Sequence, residues 1–354
     1  MTVLAPITLH DAERMLDHID SHDRDIWVQV GKALAAEYGD AAADAFDRWS
    51  QGAANYQERA ARTTWRSCLR KPGGYTIGTI IGLALQGGYT FSKPEQPPDP
   101  AIEAARRAER LARQQAEAQA RAAQAMSAEQ QALATWRQAL RDGVSPYAQR
   151  KGLERPESCR YTAAGWLLVP MLRYDLPREQ SLKGLQIIRP DGGKKYSYGM
   201  AKAGTACRLG LAEVGAPVIL CEGYATGMSL RMATSRRLAV YVAFDSGGLA
   251  DAALTIASLH QGSPIVLAAD DDWKTLDNAG RPKNPGRVAA AEVRELLEEV
   301  GTTSVLVYPH FPANVVRGPG DTDFNDLHRL SGLPEVGRQI QTAIEVAEGL
   351  LTHG

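Results

Sequence analysis

The chain has 354 residues, a formal net charge of −1, 44% apolar residues and 23% charged ones. That length accommodates two or three domains, and the composition is that of an ordinary globular protein. No overall basic excess marks the chain for nucleic acid, although a local patch can hide in a neutral total. Four cysteines (Cys68, Cys159, Cys207 and Cys221) lack C-x-x-C spacing, which excludes a zinc ribbon and reads as reduced thiols in a cytoplasmic protein. The N-terminus carries charge too early and too often for a signal peptide, and no stretch approaches the about 18 apolar residues of a membrane span.

Residues 1–91 read as a small all-α domain. "DAERMLDHID", "DIWVQVGKALAAEYG", "AADAFDRWSQGA" and "YQERAARTTWRSCL" place apolar residues at three- and four-residue spacing, with Trp27, Trp49 and Trp65 as core anchors. Asp23 and Asp25 offer N-caps and Gly39 a C-cap. Arg62, Arg66, Arg70 and Lys71 form a basic run around Trp65, either a DNA contact or a solvated face. Residues 92–140 begin with the proline-rich break "SKPEQPPDP" and continue as an uninterrupted run of Ala, Gln, Arg and Glu, strong helix formers all. That helix is either a solvated spacer or a surface whose arginines follow a DNA strand.

Residues 141–214 form a basic, mixed α+β subdomain, with strands such as "AGWLLVPMLRYD" and "SLKGLQIIRPDGGKKYSYG" joined by glycine turns. From 215 to 354 apolar strands alternate with amphipathic helices, the signature of an α/β domain with a parallel sheet covered on both faces. Ligands bind such sheets at the carboxyl ends of the strands. "VILCEG" puts Glu222 at one such end, "PIVLAADDD" puts Asp270, Asp271 and Asp272 at another, and "GDTDFNDL" adds Asp321, Asp323 and Asp326 after the last strand.

A charge ending a buried strand costs several kcal/mol unless something pairs with it, so Glu222 either caps a helix or faces a cation. Three acidic clusters meeting at one sheet edge favour the cation. The ligands are hard oxygens without histidine, which selects Mg²⁺ or Mn²⁺ over zinc. Alternate residues of an extended chain point the same way, so Asp270 and Asp272 can share a metal while Asp271 points elsewhere. Taken alone, "DFND" is equally an Asx-type turn capping the helix "DLHRLSG".

The strand–Glu-Gly and strand–Asp-x-Asp pair inside an alternating unit resembles the Toprim domain of primases, topoisomerases and some nucleases. "EGYATG", "ADDD…NPGRVAAAEV" and "DTDFNDL" are similar to primases carried by satellite phages and conjugative plasmids. "WVQVGKAL", "FDRWSQGA", "TWRSC" and "GGYTIGTIIGLA" resemble the primase-associated helical module PriCT. The resemblance implies Glu222 as the acid–base residue or a ligand and Asp270 and Asp272 as metal ligands, with Asp323 and Asp326 a looser match. It also implies NTP substrates, a single-stranded DNA template, and a replicative helicase or other replication protein as partner. A short stretch follows Asp326, which counts against a topoisomerase with its downstream tyrosine domain. No zinc-binding domain or Walker A motif accompanies the pattern.

"GGKKYSYGMAK" supplies Lys194, Lys195 and Lys202 with Tyr196 and Tyr198 interleaved, joined by Arg189 and Arg208. Lysines there meet phosphates and a tyrosine stacks on a base, unless the hairpin is simply solvated. The expected activity is metal-dependent synthesis of short RNA primers for a mobile element. A Toprim nuclease and a non-catalytic DNA-binding adaptor are the alternatives.

Overall fold

Apolar spacing and caps build the first helices where the sequence places them. The computed structural model describes residues 7–70, 73–91, 100–276, 280–281 and 283–353. Lys71 and most of the proline-rich break lie outside them. Two compact units, 1–115 and 116–354, divide the chain.

The first unit holds α1 (Leu9–Leu16), α2 (Arg24–Tyr38), α3 (Ala43–Ser50), α4 (Glu58–Arg70), α5 (Ile77–Gln86) and the start of α6 (Pro100–Gln138). Thr8 and Asp11 close a capping box on α1. Asp23 Oδ1 accepts the Asp25 and Ile26 amides at 2.8 and 3.0 Å, and Gly39 ends α2 at φ 61°, where a side chain would be strained. Phe46 is the hub of the core: Trp65 stacks on it at 5.3 Å, with Trp27 and Trp49 against its other sides. Each indole finds an acceptor, Ser50 Oγ for Trp27, the Ile19 carbonyl for Trp49 and Asp40 for Trp65.

In the second unit α6 is more than a solvated spacer. Ala128 and Ala132 are buried, Glu129 pairs with Lys183 at 3.0 Å, and Arg160 lies over Trp136. After α7 (Pro146–Arg150) come β1 (Arg160–Tyr161), β2 (Leu167–Leu172), β3 (Leu182–Ile188) and β4 (Lys194–Tyr196), an antiparallel sheet in chain order.

The remaining strands are β5 (Cys207–Leu209), β6 (Val218–Cys221), β7 (Val240–Val242), β8 (Ile265–Ala268) and β9 (Ser304–Val307), ordered β5-β7-β6-β8-β9. β7, β6, β8 and β9 run parallel, as the alternating pattern predicts, and the first three are buried along their whole length. β5 is antiparallel at the edge, so the sheet is mixed rather than wholly parallel. The link from Gly210 to Pro217 holds no helix, and a parallel crossover needs a dozen residues or more. One face is covered by α8 (Tyr224–Ala233), α11 (Phe324–Ser331) and α12 (Leu333–His353), the other by α9 (Leu249–Leu259) and α10 (Pro285–Glu299). Among the described residues no helix is long and apolar enough to cross a membrane.

Candidate active site

The order of the strands decides which carboxylates meet. β6 and β8 are hydrogen-bonded neighbours in parallel register, with Cys221 opposite Ala268. Glu222, the next residue after β6, and Asp270, two beyond β8, therefore emerge side by side at the carboxyl edge. Asp323 joins them from the start of α11, close enough that its charge acts on Asp270.

Two atoms in this cluster are out of place in a finished protein interior. Glu222 Oε1 and Asp270 Oδ1 are buried without a hydrogen-bond partner. A buried carboxylate oxygen normally accepts at least one hydrogen bond, and its desolvation otherwise costs several kcal/mol. Burial first, and the charge of Asp272 second, push the Glu222 carboxyl up to about 7, against a hydrogen bond from the Ser246 backbone. Burial and the charges of Asp323, Glu222 and Asp272 raise Asp270 well above the carboxylate range, with Lys194 pulling the other way. Asp323 is raised by its own burial and by Asp326. Mutual repulsion and unsatisfied hard oxygens are what a divalent cation relieves, so the donor set fits Mg²⁺ or Mn²⁺. Among the described residues no three His, Cys, Asp or Glu side chains already converge into a metal cage.

Asp271 does point elsewhere. Arg317 grips it twice, Nη1 donating to Oδ2 at 2.8 Å and Nη2 to the backbone carbonyl at 2.9 Å. Asn284 donates to Oδ1 at 2.6 Å, and Arg287 pairs with the same oxygen at 2.7 Å. Burial alone would raise this carboxyl, but the Arg317 and Asn284 hydrogen bonds and the Arg287 charge hold it below its usual range. Arg317 lies against Trp273 and Phe311 at 4.7 and 4.5 Å and also donates to the Asp321 carbonyl. Asp272 accepts the Gly286 amide at 3.1 Å at the start of α10. Gly286 must be glycine there, since a Cβ would sit 2.5 Å from the Asp270 carbonyl oxygen. Gly286→Ala should displace the Asp270 backbone and cost about 1–3 kcal/mol, read by thermal unfolding of the metal-free protein.

Asp323 and Asp326 form a capping box on α11, which realises the Asx-turn reading of "DFND". Asp323 Oδ1 accepts the Asp326 amide at 2.8 Å, and Thr226 donates to Oδ2 at 2.9 Å. Asp326 turns back to the Thr322 amide and pairs with Lys151 at 3.4 Å. Asp323 is therefore part of the acidic cluster, whereas Asp326 supports it from behind.

The basic residues divide. Lys194 and Tyr196 share one face of β4, and Lys194 is near enough to stabilise the charge of Asp270. Tyr196 donates to the Phe244 carbonyl at 3.2 Å, just after β7. Lys202 pairs with Asp245 and lies over the Tyr196 ring at 4.6 Å. Lys195 alternates to the other face, and Tyr198 is 88% exposed beyond the strand. Arg189 stays in the β3–β4 turn with Asp191. Arg208 does not join the carboxylates: it sits on edge strand β5, over Tyr174 at 5.7 Å, with its backbone amide donating to the Tyr174 hydroxyl at 2.7 Å.

Sequence reasoning missed Arg317, Lys151, Asn284 and Thr226. Arg317 and Lys151 lie in stretches that no motif marks, while Thr226 and Asn284 lie inside "EGYATG" and "NPGRVAAAEV" without any sign there of which carboxylate they bond.

A parallel-sheet edge bearing a glutamate after one strand and an Asp-x-Asp after its neighbour defines a Toprim fold. Residues 217–333 match the Toprim domain family, and residues 10–84 match the family described as primase C terminal 2, PriCT-2. The two matches lie in the order PriCT-2, then Toprim, along the chain. It is similar to two proteins of Escherichia coli named DNA primase TraC. One is 28% identical over 228 residues, 62% of this chain and 20% of that protein, and the other is 29% identical over 150 residues, 41% and 10%. The chain thus spans a fifth or less of the curated relatives it matches. The primase fragment of the bacteriophage T7 primase-helicase protein aligns loosely, at TM-score 0.37 and 13% identity over 56% of this chain and 70% of that one.

Proposed function

We propose that the protein is a DNA primase that joins ribonucleotides on a single-stranded DNA template by divalent-metal-dependent nucleotidyl transfer. The observation that carries this reading is the pair of orphaned oxygens, Glu222 Oε1 and Asp270 Oδ1, at neighbouring strand ends beside Lys194. Asp270, Asp272 and Glu222 would hold Mg²⁺ or Mn²⁺, with Asp323 behind them. Such a cation lowers the pKa of an attacking 3′-hydroxyl and neutralises charge on the triphosphate. Glu222 either ligates it or takes the hydroxyl proton. Lys194 offers its ammonium to triphosphate oxygens, and the exposed Tyr198 ring offers a stacking face for a template base. Thr226 and the α11 cap fix Asp323, so the site is held by hydrogen bonds before substrate arrives.

A cytoplasmic setting, where NTPs are available, suits this chemistry. A replicative helicase or another replication protein is the partner class, and the mobile-element setting rests on the joint resemblance of "EGYATG" and the PriCT-2 module.

The test is primer synthesis on single-stranded DNA with labelled NTPs and Mg²⁺ or Mn²⁺, comparing wild type with Asp270→Asn. Short RNA products lost in the variant are expected. Degradation of the template requiring Asp270 would replace the primase with a nuclease. Undiminished template binding without either product would leave only an adaptor.

A further inference from the structure

The carboxylate site uses nothing from α4, yet that helix carries a row of four arginines. Arg59, Arg62, Arg66 and Arg70 are all exposed. At 3.6 residues per turn these positions fall within about 80° of one another, in a stripe about 16 Å long. The helix cannot roll to hide them. Its opposite side is locked by the buried residues Ala61, Trp65 and Cys68, with Trp65 stacked on Phe46 and donating to Asp40 at 3.1 Å.

A solvated basic face is normally laced with carboxylates. Here Arg62 pairs with Glu58 at 2.5 Å, and among the described residues Arg59, Arg66 and Arg70 pair with no carboxylate. Four guanidinium groups, each about one turn from the next, repel, and a protein of net charge −1 has acidic residues enough to place between them. Arg59, Arg62 and Arg66 instead line a hollow of about 370 Å³ with Glu58 and Thr63.

The chemistry of the ligand follows from what the stripe lacks. The remaining exposed residues of α4 are Glu58, Ala60, Thr63 and Ser67, with no aromatic or large aliphatic side chain among them. A protein partner would need an apolar anchor at the centre of its interface. A base-stacking platform would need an exposed ring. Guanidinium groups alone suit a row of phosphates, which they grip with paired N–H donors. We infer that the exposed arginine stripe of α4 is a second, sequence-independent nucleic-acid contact that holds the phosphate backbone and takes no part in the chemistry of the carboxylate site.

The experiment uses the full chain. Labelled single-stranded and duplex oligonucleotides are titrated at several salt concentrations against wild type, a variant with all four arginines changed to glutamine, and one with all four changed to lysine. The glutamine variant is expected to bind at least tenfold more weakly at low salt. Its slope of log affinity against log salt should fall by about 0.7 for each lost single-strand phosphate contact, about 2–3 in all. The lysine variant should keep the slope, which separates charge from misfolding. Whichever oligonucleotide shows the larger change identifies the strandedness. Primer synthesis at saturating template should be unchanged, so the stripe and the catalytic reading fail independently. Identical affinity and slope in wild type and glutamine variant would overturn the inference. So would loss of binding to polyglutamate with nucleic-acid binding intact, which would make the stripe a dock for an acidic protein.

Discussion

Glu222→Gln is expected to abolish primer synthesis, by about 10³-fold or more, while making the metal-free protein more stable at pH 8. The two effects share one cause. Folding carries this carboxyl from its usual value of 4.5 up to about 7. Between those values the folded state binds more protons than the unfolded one, so stability falls as pH rises through the window and stays low above it. The penalty from this one group is about 3 kcal/mol at most. Glutamine has the same shape, cannot ionise and removes the penalty. A thermal-unfolding series in EDTA from pH 4.5 to 8.5 should therefore show the wild type losing stability across the window and the variant losing less. Added Mg²⁺ should recover stability in the wild type above pH 7. A wild-type profile parallel to that of the variant would mean that Glu222 is not confined among the other carboxylates.

Arg317→Ala should give the largest structural loss from a residue that touches neither nucleotide nor metal in this account. Its guanidinium holds both the carboxylate and the carbonyl of Asp271, between the rings of Trp273 and Phe311. Removing it leaves Asp271 buried with Arg287 and Asn284 as remaining partners. The expected cost is about 2–3 kcal/mol, below the value for a fully orphaned buried charge. Asp271 separates Asp270 from Asp272, so releasing it frees the two side chains expected to share the cation. Apparent metal affinity should weaken about 10–100-fold, as it does when outer-shell partners are removed. Arg317→Lys should restore little, because a compact ammonium lacks the planar fork by which Nε, Nη1 and Nη2 reach three separate oxygens. Metal titration beside denaturant unfolding checks both parts, and a destabilised variant with unchanged metal affinity would make Arg317 a purely structural clamp.

Much of the arrangement was legible because it depends on short-range patterns. Apolar strands ending in a carboxylate, separated by amphipathic helices, already imply a parallel sheet with acids along one edge. The adjacency of β6 and β8 then brings Glu222 beside Asp270. The outward turn of Asp271 was legible from the alternation of an extended chain. The partners of these acids were not, because Arg317 lies in the stretch between β9 and α11 and Lys151 at the end of α7, both far in sequence from the acids or outside any periodic pattern. Arg208 looked like a member of the basic patch by proximity in sequence. The antiparallel edge strand β5 carries it to Tyr174 and Tyr241 instead. The long helix α6 was read from composition as either solvated or DNA-following, yet Ala128 and Ala132 are buried, since alanine reveals little about which face of a helix is covered.

The central claim is that Glu222, Asp270 and Asp272 form one cation site. Mn²⁺ titration followed by electron paramagnetic resonance at pH 8 tests it without any assumption about substrate. Wild type should remove Mn²⁺ from the free-ion signal in a saturable way that Mg²⁺ competes with, and Asp270→Asn should lose that binding while remaining folded. Equal Mn²⁺ binding by wild type and Asp270→Asn would contradict the account and leave the two orphaned oxygens without a cation to satisfy them.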